Sequence, residues 1–468
     1  MKFKYALFYN NQWNKSVSGK FYKRNLVISK KSLLYAESNE VDCDNAIKSA
    51  KQGLKTNKKF SFKLRQEFIY KIYKEIKKNY KVIAKLETLE TGKNLKDAKK
   101  EILHSAKIWL HAYRSLKNLS FRRKLSDRHK GYVIYEPVGI LALLIPWNFP
   151  FVVMSERLPF MIAAGNSIII KPSEYAAQSI LYLMNIIKKI KLPKGIVNLL
   201  TGSGNQIGSI LSKHKDINLI SFTGSTKIGK KIMKNASSTI KRMSLELGGK
   251  NSIIVMKDAD LNRAVKILIE SFTGNAGQSC VSTSRLLIDY EIKEIFLNKL
   301  INNLKKIKNF KKLYGYISTP RQLEKIIFFL KKNKNFDKNI IFGNPVLIKN
   351  NFVKPIIYDN LPETNIFNKQ ELFAPILSVN SFKSTEEAIL LSNNTKYGLS
   401  AVICGTNKRE MFKIAKNLDS GRIWINETVK INYPSLPIGG FKQSGLNREL
   451  GHEGLKTYSE IKSIIQSG

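Results

Sequence analysis

Cysteine is scarce in this chain of 468 residues, with only Cys43, Cys280 and Cys404 present. No CxxC pair occurs, which excludes a disulfide framework and leaves a zinc site without its usual ligand spacing. Acidic residues are also few, 35 against 80 lysines and arginines, giving a formal charge of +45. That balance is the usual footprint of a nucleic-acid or anionic-surface binder. The basic residues, however, run through the whole length, as at 71–85, 188–194 and 305–312, and do not gather in a tail or a recognition helix. A compositional drift over all solvated faces is therefore preferred, and no specific nucleic-acid partner is expected. Long hydrophobic runs are missing too. The longest, 138–153, is broken by Pro146, Trp147, Asn148 and Pro150 and followed by Glu156 and Arg157, too short and interrupted to span a bilayer. The first residues lack the apolar stretch and small-residue cleavage site of a signal peptide. A soluble, cytoplasmic protein without a membrane partner is expected.

What remains is ordinary globular composition, 43% hydrophobic and 25% charged, in a length suited to about two to three domains. From about residue 40, apolar residues recur three and four apart (Ala46, Ile47, Ala50, Leu54; Phe68, Ile69, Ile72, Tyr73, Ile76; Ile83, Leu86, Leu89), so helical packing is expected first. Around 121–135 the pattern changes to strand or hairpin. Short apolar runs at 139–145, 167–170 and 217–222 then end in turn or cap residues and lead into helices, the order of parallel βαβ units. A second series has strands at 252–255, 286–288, 376–379 and 422–425. Two α/β domains are predicted, with no solenoid repeat and a Lys/Asn-rich surface loop at 331–354.

Three clusters carry possible chemistry. In Phe272-Thr273-Gly274-Asn275-Ala276-Gly277-Gln278-Ser279-Cys280, small residues let backbone pass close to a ligand and a cysteine ends the approach. From Cys280 alone, a buried structural thiol in a glycine-containing loop is the preferred reading. In Leu245-Glu246-Leu247-Gly248-Gly249-Lys250-Asn251, an acid between leucines is paired, solvent-facing by alternation, or a general base with a raised pKa. In 146–150, the Asn148 amide either donates to a developing oxyanion or caps the turn. Two glycine-rich stretches come close to phosphate loops. Gly224–Lys230 has Walker spacing but is followed by Lys231 where a Ser or Thr should hold magnesium, which disfavours an ATPase. Gly202–Gly208 has one residue too many for GxGxxG. Strand 217–222 running into Gly224-Ser225 at a helix start still offers N–H groups and a hydroxyl to a pyrophosphate.

Taken together and in order, PWNFP at 146–150, KPSE at 171–174, FTGSTKIG at 222–229, ELGGKN at 246–251, GQSC at 277–280, ELFAPIL at 371–377 and PIGGFKQSG at 437–445 resemble the aldehyde dehydrogenase superfamily along nearly the whole chain. The resemblance implies two doubly wound α/β domains, one Rossmann-like for the cofactor (1–118 and 139–247) and one catalytic (248–443). It further implies an oligomerisation β-arm (119–138 and 459–468) and a return to the cofactor domain at 444–458. It makes Cys280 the nucleophile, Asn148 and the Cys280 N–H the oxyanion donors, Glu246 the base that activates water, and Glu449 a proton-relaying carboxylate, unless Glu449 is a helix-surface acid or a partner of Arg448. It places the cofactor against Pro146, Trp147, Lys171, Ser173, Glu174, Gly204, Phe222, Thr223, Gly224, Ser225, Gly229, Leu247, Gly248, Glu371 and Phe373, with no metal. Glu174 suits a ribose 2′-OH and repels a 2′-phosphate, so NAD is favoured, with NADP tolerable through Lys171. Keeping Glu246 argues for an acid product over a CoA thioester.

An unpaired strand at 456–465 would risk aggregation, which agrees with pairing into a homodimer or homotetramer. Residues 281–285 are similar to the betaine-aldehyde and aminoaldehyde branch, making betaine aldehyde, oxidised to glycine betaine, the leading substrate. The positions where that branch carries tryptophan fall at Glu156, Gly274 and Ile438, leaving Phe149 and the charge of Glu156 to attract a cation. A general or semialdehyde-type enzyme is the alternative, and a basic nucleic-acid binder on an inactive scaffold is the alternative of another class. Two departures stand out: Tyr314–Ser318 replaces a Gly-Pro-containing turn, and 331–354 is short of family length.

Overall fold

The computed structural model describes residues 2–3, 5–29, 31–346 and 350–467. Two mixed sheets, each covered by helices, carry most of the chain, and of three smaller sheets among the described residues the largest forms a third unit. The first has eight strands in the spatial order Gly445–Leu446, Arg242–Glu246, Leu219–Thr223, Ile140–Leu144, Ser167–Lys171, Val197–Leu199, Tyr5–Tyr9, Gln12–Lys15. Its five central strands are parallel and its edges antiparallel. Ile140–Leu144 and Ser167–Lys171 are buried at every position, as strands covered by helices on both faces must be. In the second sheet, Ile340–Phe342, Ile356–Asp359, Ile376–Phe382, Thr283–Asp289, Asn251–Val255, Ser400–Cys404 and Arg422–Ile425 lie side by side, parallel except for the first. This is the expected doubly wound α/β architecture in two copies.

Three long helices pack around the first sheet, each started by a polar N-cap. Asn39 forms a capping box with Asp42 on Glu40–Lys59, Ser61 caps Phe62–Thr91, and Asn94 caps Leu95–Ser115. Phe62–Thr91 buries Ile69, Ile72, Ile76 and Ile83, the stripe legible in the sequence. The expectation that helical packing comes first is corrected. Strands Tyr5–Tyr9, Gln12–Lys15, Phe21–Asn25 and Ser32–Ala36 precede it, because the hairpin of Tyr5–Tyr9 and Gln12–Lys15 extends the first sheet beyond Val197–Leu199.

The 331–354 stretch is also more ordered than a surface loop. Its start finishes the helix Pro320–Lys332, a tight turn spans Lys334–Asn339, and Ile340–Phe342 pairs antiparallel with Ile356–Asp359; residues 347–349 lie outside those described. The third sheet joins Phe121–Lys124, His129–Pro137 and Ser459–Ser467, the last two paired from Ser459↔Pro137 to Ser467↔His129. Residues 456–457, expected as strand, end the helix Gly451–Thr457, and Gly468 lies outside the described residues. Among the described residues no helix is long and apolar enough to cross a membrane.

Candidate active site

The carboxyl ends of Ile140–Leu144 and Leu219–Thr223 lie side by side where the strand order of the first sheet reverses, the position at which doubly wound sheets open a ligand crevice. A cleft of about 620 Å³ lies there, and it brings together Pro146, Trp147, Asn148, Lys171, Ser173, Glu174, Gly204, Phe222, Thr223, Gly224, Ser225, Glu246, Leu247, Gly248, Cys280, Glu371 and Phe373. Two sequence candidates are not on its wall. Gly229 stands behind it, where a Cβ would come within 2.7 Å of Leu247 Cδ2, so its smallness serves helix packing. Glu449 is buried deeper.

At one end of the cleft Lys171 donates to Glu174 at 3.2 Å. Burial raises the Glu174 pKa, but the Lys171 charge and backbone N–H groups outweigh it and leave the carboxylate below its usual range. Gly204 faces the pair, where a Cβ would stand 3.9 Å from both charged groups. Ser173 accepts from the Tyr175 N–H. Further along, Ser225 caps the helix Thr226–Ala236, accepting from Ile228 N–H, and Thr223 Oγ1 is buried without a partner. An eleven-residue helix whose first N–H groups and cap line a cleft is a ready anion site. At the far end Glu371 accepts from Gly249 N–H at 3.1 Å, and a Cβ on Gly248 would lie 2.3 Å from Glu371 Oε2. Phe373, left-handed at φ 59, meets Trp147 edge-on at 5.6 Å. Gln322 secures that turn by donating to the Leu372 and Phe373 carbonyls. A charged carboxylate, a helix N-terminus with an orphan hydroxyl and an aromatic corner follow one another along the cleft.

The reactive corner combines both sheets. After the helix Leu261–Thr273, Asn275, Ala276 and Gly277 are all left-handed, which turns the chain back so that Cys280 lies half-buried in the cleft. Its carbonyl accepts from Asn251 Nδ2 at 2.7 Å, and the same amide donates to Ser282 O. The Asn148 amide donates to the Gln278 carbonyl at 3.0 Å, leaving its second N–H available to the cleft. Burial pushes the Cys280 thiol up to about 12, with Glu246, Glu156 and Glu371 adding to the rise and Arg157 opposing it.

Glu246 ends its strand buried, with Oε1 unpartnered. Burial raises it to about 8, Arg157 and Arg448 pulling down and Glu449 and Glu156 pushing up. Of the readings open for this acid, solvent-facing alternation is excluded by its burial. Glu449 accepts from Ser244 and Tyr458 hydroxyls, each at 2.5 Å, and faces Arg157 Nε at 3.5 Å. It is neither a helix-surface acid nor a partner of Arg448, which donates to the Gly440 and Asn447 carbonyls. Arg157 also pairs with Glu156 at 3.2 Å. Arg157, Asn251 and Gln278 are site residues the sequence reading passed over; the only signal was their place inside or beside the motifs.

The profile of the aldehyde dehydrogenase family matches residues 13–464. The chain belongs to the aldehyde dehydrogenase family. It is an oxidoreductase acting on aldehydes. Rabbit (Oryctolagus cuniculus) aldehyde dehydrogenase 1A1 is 31% identical, over 99% of this chain and 96% of that protein. The NAD-dependent aldehyde dehydrogenase of Sinorhizobium meliloti superposes with a TM-score of 0.95 at 30% identity, covering 100% of this chain and 95% of that one. Betaine aldehyde dehydrogenase of Staphylococcus aureus in complex with NAD+ superposes with a TM-score of 0.95 at 27% identity, covering 99% and 95%. Like these aldehyde dehydrogenases, the chain is spanned by the likeness almost end to end.

Proposed function

We propose that this aldehyde dehydrogenase uses NAD to oxidise its aldehyde to the free acid, through a covalent intermediate on Cys280. The observation that carries the reading is the meeting of Cys280, the Asn148 amide and the buried, half-orphaned Glu246 carboxyl in one cleft. Bound NAD supplies the two-electron acceptor. Lys171, Ser173, Glu174 and Gly204 hold its adenosine side, Phe222 to Ser225 its diphosphate, and Pro146, Trp147, Leu247, Gly248, Glu371 and Phe373 the nicotinamide end. Glu174, held charged by the adjacent Lys171, favours a 2′-hydroxyl over a phosphate.

The Cys280 thiolate adds to the aldehyde carbon, giving a thiohemiacetal whose oxyanion is held by Asn148 Nδ2 and the Cys280 N–H. Oxidation leaves a thioester on Cys280. Glu246 takes a proton from water, which attacks the thioester carbonyl and releases the acid and the thiol. Glu449, with Arg157, stands behind Glu246 as the second carboxyl of the relay.

On this reading the labour divides at the boundaries expected from sequence. Residues 1–118 and 139–247 hold the cofactor and 248–443 carry the nucleophile. Residues 444–458 return to the first sheet, a return supported by the pairing of Gly445–Leu446 with Leu245 and Glu246. The arm of 119–138 and 459–468 joins protomers into a dimer or tetramer, and the enzyme works in the cytoplasm.

For the substrate, betaine aldehyde is the reading that the S. aureus neighbours support. Gly274 and Ile438 bring no aromatic ring, so recognition of the ammonium falls to Phe149 and Glu156. The Glu156–Arg157 ion pair favours a second reading, a general or semialdehyde-type enzyme, because it neutralises that carboxylate.

Absorbance of NADH over a panel of betaine aldehyde, aminoaldehydes, succinic semialdehyde and aliphatic aldehydes separates the two. Cys280→Ala is expected to lose all turnover, and Glu246→Gln to accumulate thioester after one rapid turnover, seen by intact-protein mass. Turnover retained by Cys280→Ala would overturn the mechanism.

A further inference from the structure

The two oxyanion donors proposed above come from different sheets, Asn148 from the end of Ile140–Leu144 and the Cys280 N–H from the loop before Thr283–Asp289. The end of the helix Phe62–Thr91 sits where both loops meet. There, Lys93 is completely buried with its ammonium 3.0 Å from Glu87 Oε1 and 2.5 Å from Glu101 Oε2. The same ammonium lies 4.3 Å from the centre of the Phe149 ring, next in sequence to Asn148. Glu87 turns its other oxygen to the Phe151 N–H at 3.3 Å. One side of this buried ion cluster therefore grips the 148–151 turn twice.

The other side grips the cysteine loop. Gly92 O accepts from Tyr316 N–H, and Thr91 O accepts from Ser318 Oγ. Gln278 spans these partners, donating to Tyr316 O at 3.0 Å and accepting from Ser318 N–H at 2.8 Å. The Gln278 carbonyl in turn receives the Asn148 amide. The contacts close into a ring that runs from Asn148 through Phe149, Lys93, Thr91 and Ser318 to Gln278 and back.

We infer that Lys93, held by Glu87, is a positioning residue for the oxidation, fixing the Asn148 amide against the Cys280 loop so that both donors meet one oxygen. The inference rests on the proposed oxyanion role of Asn148. An ammonium between two carboxylates and an aromatic face is directional and buried, and it resists the sliding that an apolar contact would permit.

The test is a double-mutant cycle on kcat with Lys93→Met and Asn148→Ala. Asn148→Ala is expected to lower kcat about 10²–10³-fold. Lys93→Met is expected to lower it roughly 10–100-fold in the wild-type background and less than about threefold in the Asn148→Ala background, because the same interaction is already gone. The NAD dissociation constant and the rate of Cys280 alkylation by iodoacetamide are expected to stay within about twofold. Lys93→Arg, which keeps the charge, is expected to recover most of kcat.

An equal loss in both backgrounds would overturn the inference, as would a matching loss of NAD binding or thiol reactivity, since either marks a general structural defect. An unchanged kcat in Asn148→Ala would instead sink the oxyanion reading, and this inference with it. Should Lys93→Met fail to fold, Glu87→Gln, which keeps volume, runs the same cycle with the same expected non-additivity.

Discussion

The thiol of Cys280 and the carboxyl of Glu246 are both displaced upward, chiefly by burial, and the thiol owes part of its displacement to the Glu246 charge. A thiol near 12 is a resting thiol at neutral pH, so the site is inert until a base or a bound charge frees the proton. Glu246→Gln removes the first of the three carboxylates acting on it. The thiol pKa is then expected to fall, and iodoacetamide labelling at pH 8 to speed up by roughly tenfold per unit, although acid formation is lost. Labelling that slowed would contradict this coupling.

Glu246 itself sits at about 8 against an ordinary 4.5. Hydrolysis of the thioester needs its ionised form, so the deacylation rate is expected to climb with pH through a limb near 8 and level off above it. Glu156→Gln takes away one of the charges that raise Glu246 and should move that limb to lower pH, read by single-turnover acid release. The same shift enters stability with the opposite sense. The folded protein holds this proton more tightly than the unfolded chain, so the stability contribution of Glu246 is complete below the usual carboxylate range and fades as pH rises toward 8.

Cys280, Glu246 and Asn148, which the structure brings to one cleft, were legible as residue types in ordered motifs. Of Arg157, Glu449 and Tyr458 behind them, only Glu449 was named from sequence as part of the site, since Arg157 lies far from Glu449 in the chain and meets it only through burial.

At the scale of elements, the loop that presents Cys280 depends on backbone shape more than on side chains. Gly277 has φ 69, and a Cβ there would stand 2.3 Å from the Ala374 carbonyl carbon, a backbone atom that cannot step aside. Gly277→Ala is expected to shift the 278–280 segment by several tenths of an ångström, to lower kcat by about 10²-fold and to cost more than about 1 kcal/mol of stability. Thermal unfolding with and without NAD, beside kcat, checks both figures, and a variant of wild-type rate would show that the loop relaxes without moving the thiol.

Periodicity disclosed the elements that follow a simple rule. The buried stripe of Phe62–Thr91 and the apolar strands Ile140–Leu144 and Ser167–Lys171 are examples. It missed those whose pattern is mixed. Gln12–Lys15 is a polar edge strand, Tyr5–Tyr9 is a run of only five residues paired between it and Val197–Leu199, and Ile340–Phe342 lies within a Lys/Asn-rich stretch whose composition reads as loop. Each of the three is placed by its pairing, Tyr5–Tyr9 with the distant Val197–Leu199 and the other two with a neighbouring strand, which local pattern does not contain.

Across the whole molecule, the third sheet is the feature that a single chain leaves unfinished. Ser459–Ser467 pairs along its full length with His129–Pro137 on one side only, so nine residues of backbone face outward on the other. Ile461 and Ile465, two turns of the pleat apart on one face, are 62% and 72% exposed, and Phe121 and Leu125 of the same sheet are exposed at more than half of their surface. An open, apolar strand edge of this length aggregates or finds a partner. The +45 charge works against random association by mutual repulsion, and a second copy of the chain must therefore gain enough from this sheet to overcome it. The balance sets a salt dependence. Raising ionic strength screens the repulsion and leaves the apolar contact intact, so self-association is expected to tighten with salt, whereas binding to nucleic acid through the same charge would weaken steeply. The double substitution Ile461→Lys and Ile465→Lys adds charge where the apolar contact would form. Sedimentation velocity is expected to find the wild-type chain as a dimer or tetramer and the substituted chain as a single protomer, with Cys280 still labelled by iodoacetamide. An oligomer that survives both lysines would place the joining surface elsewhere in the molecule.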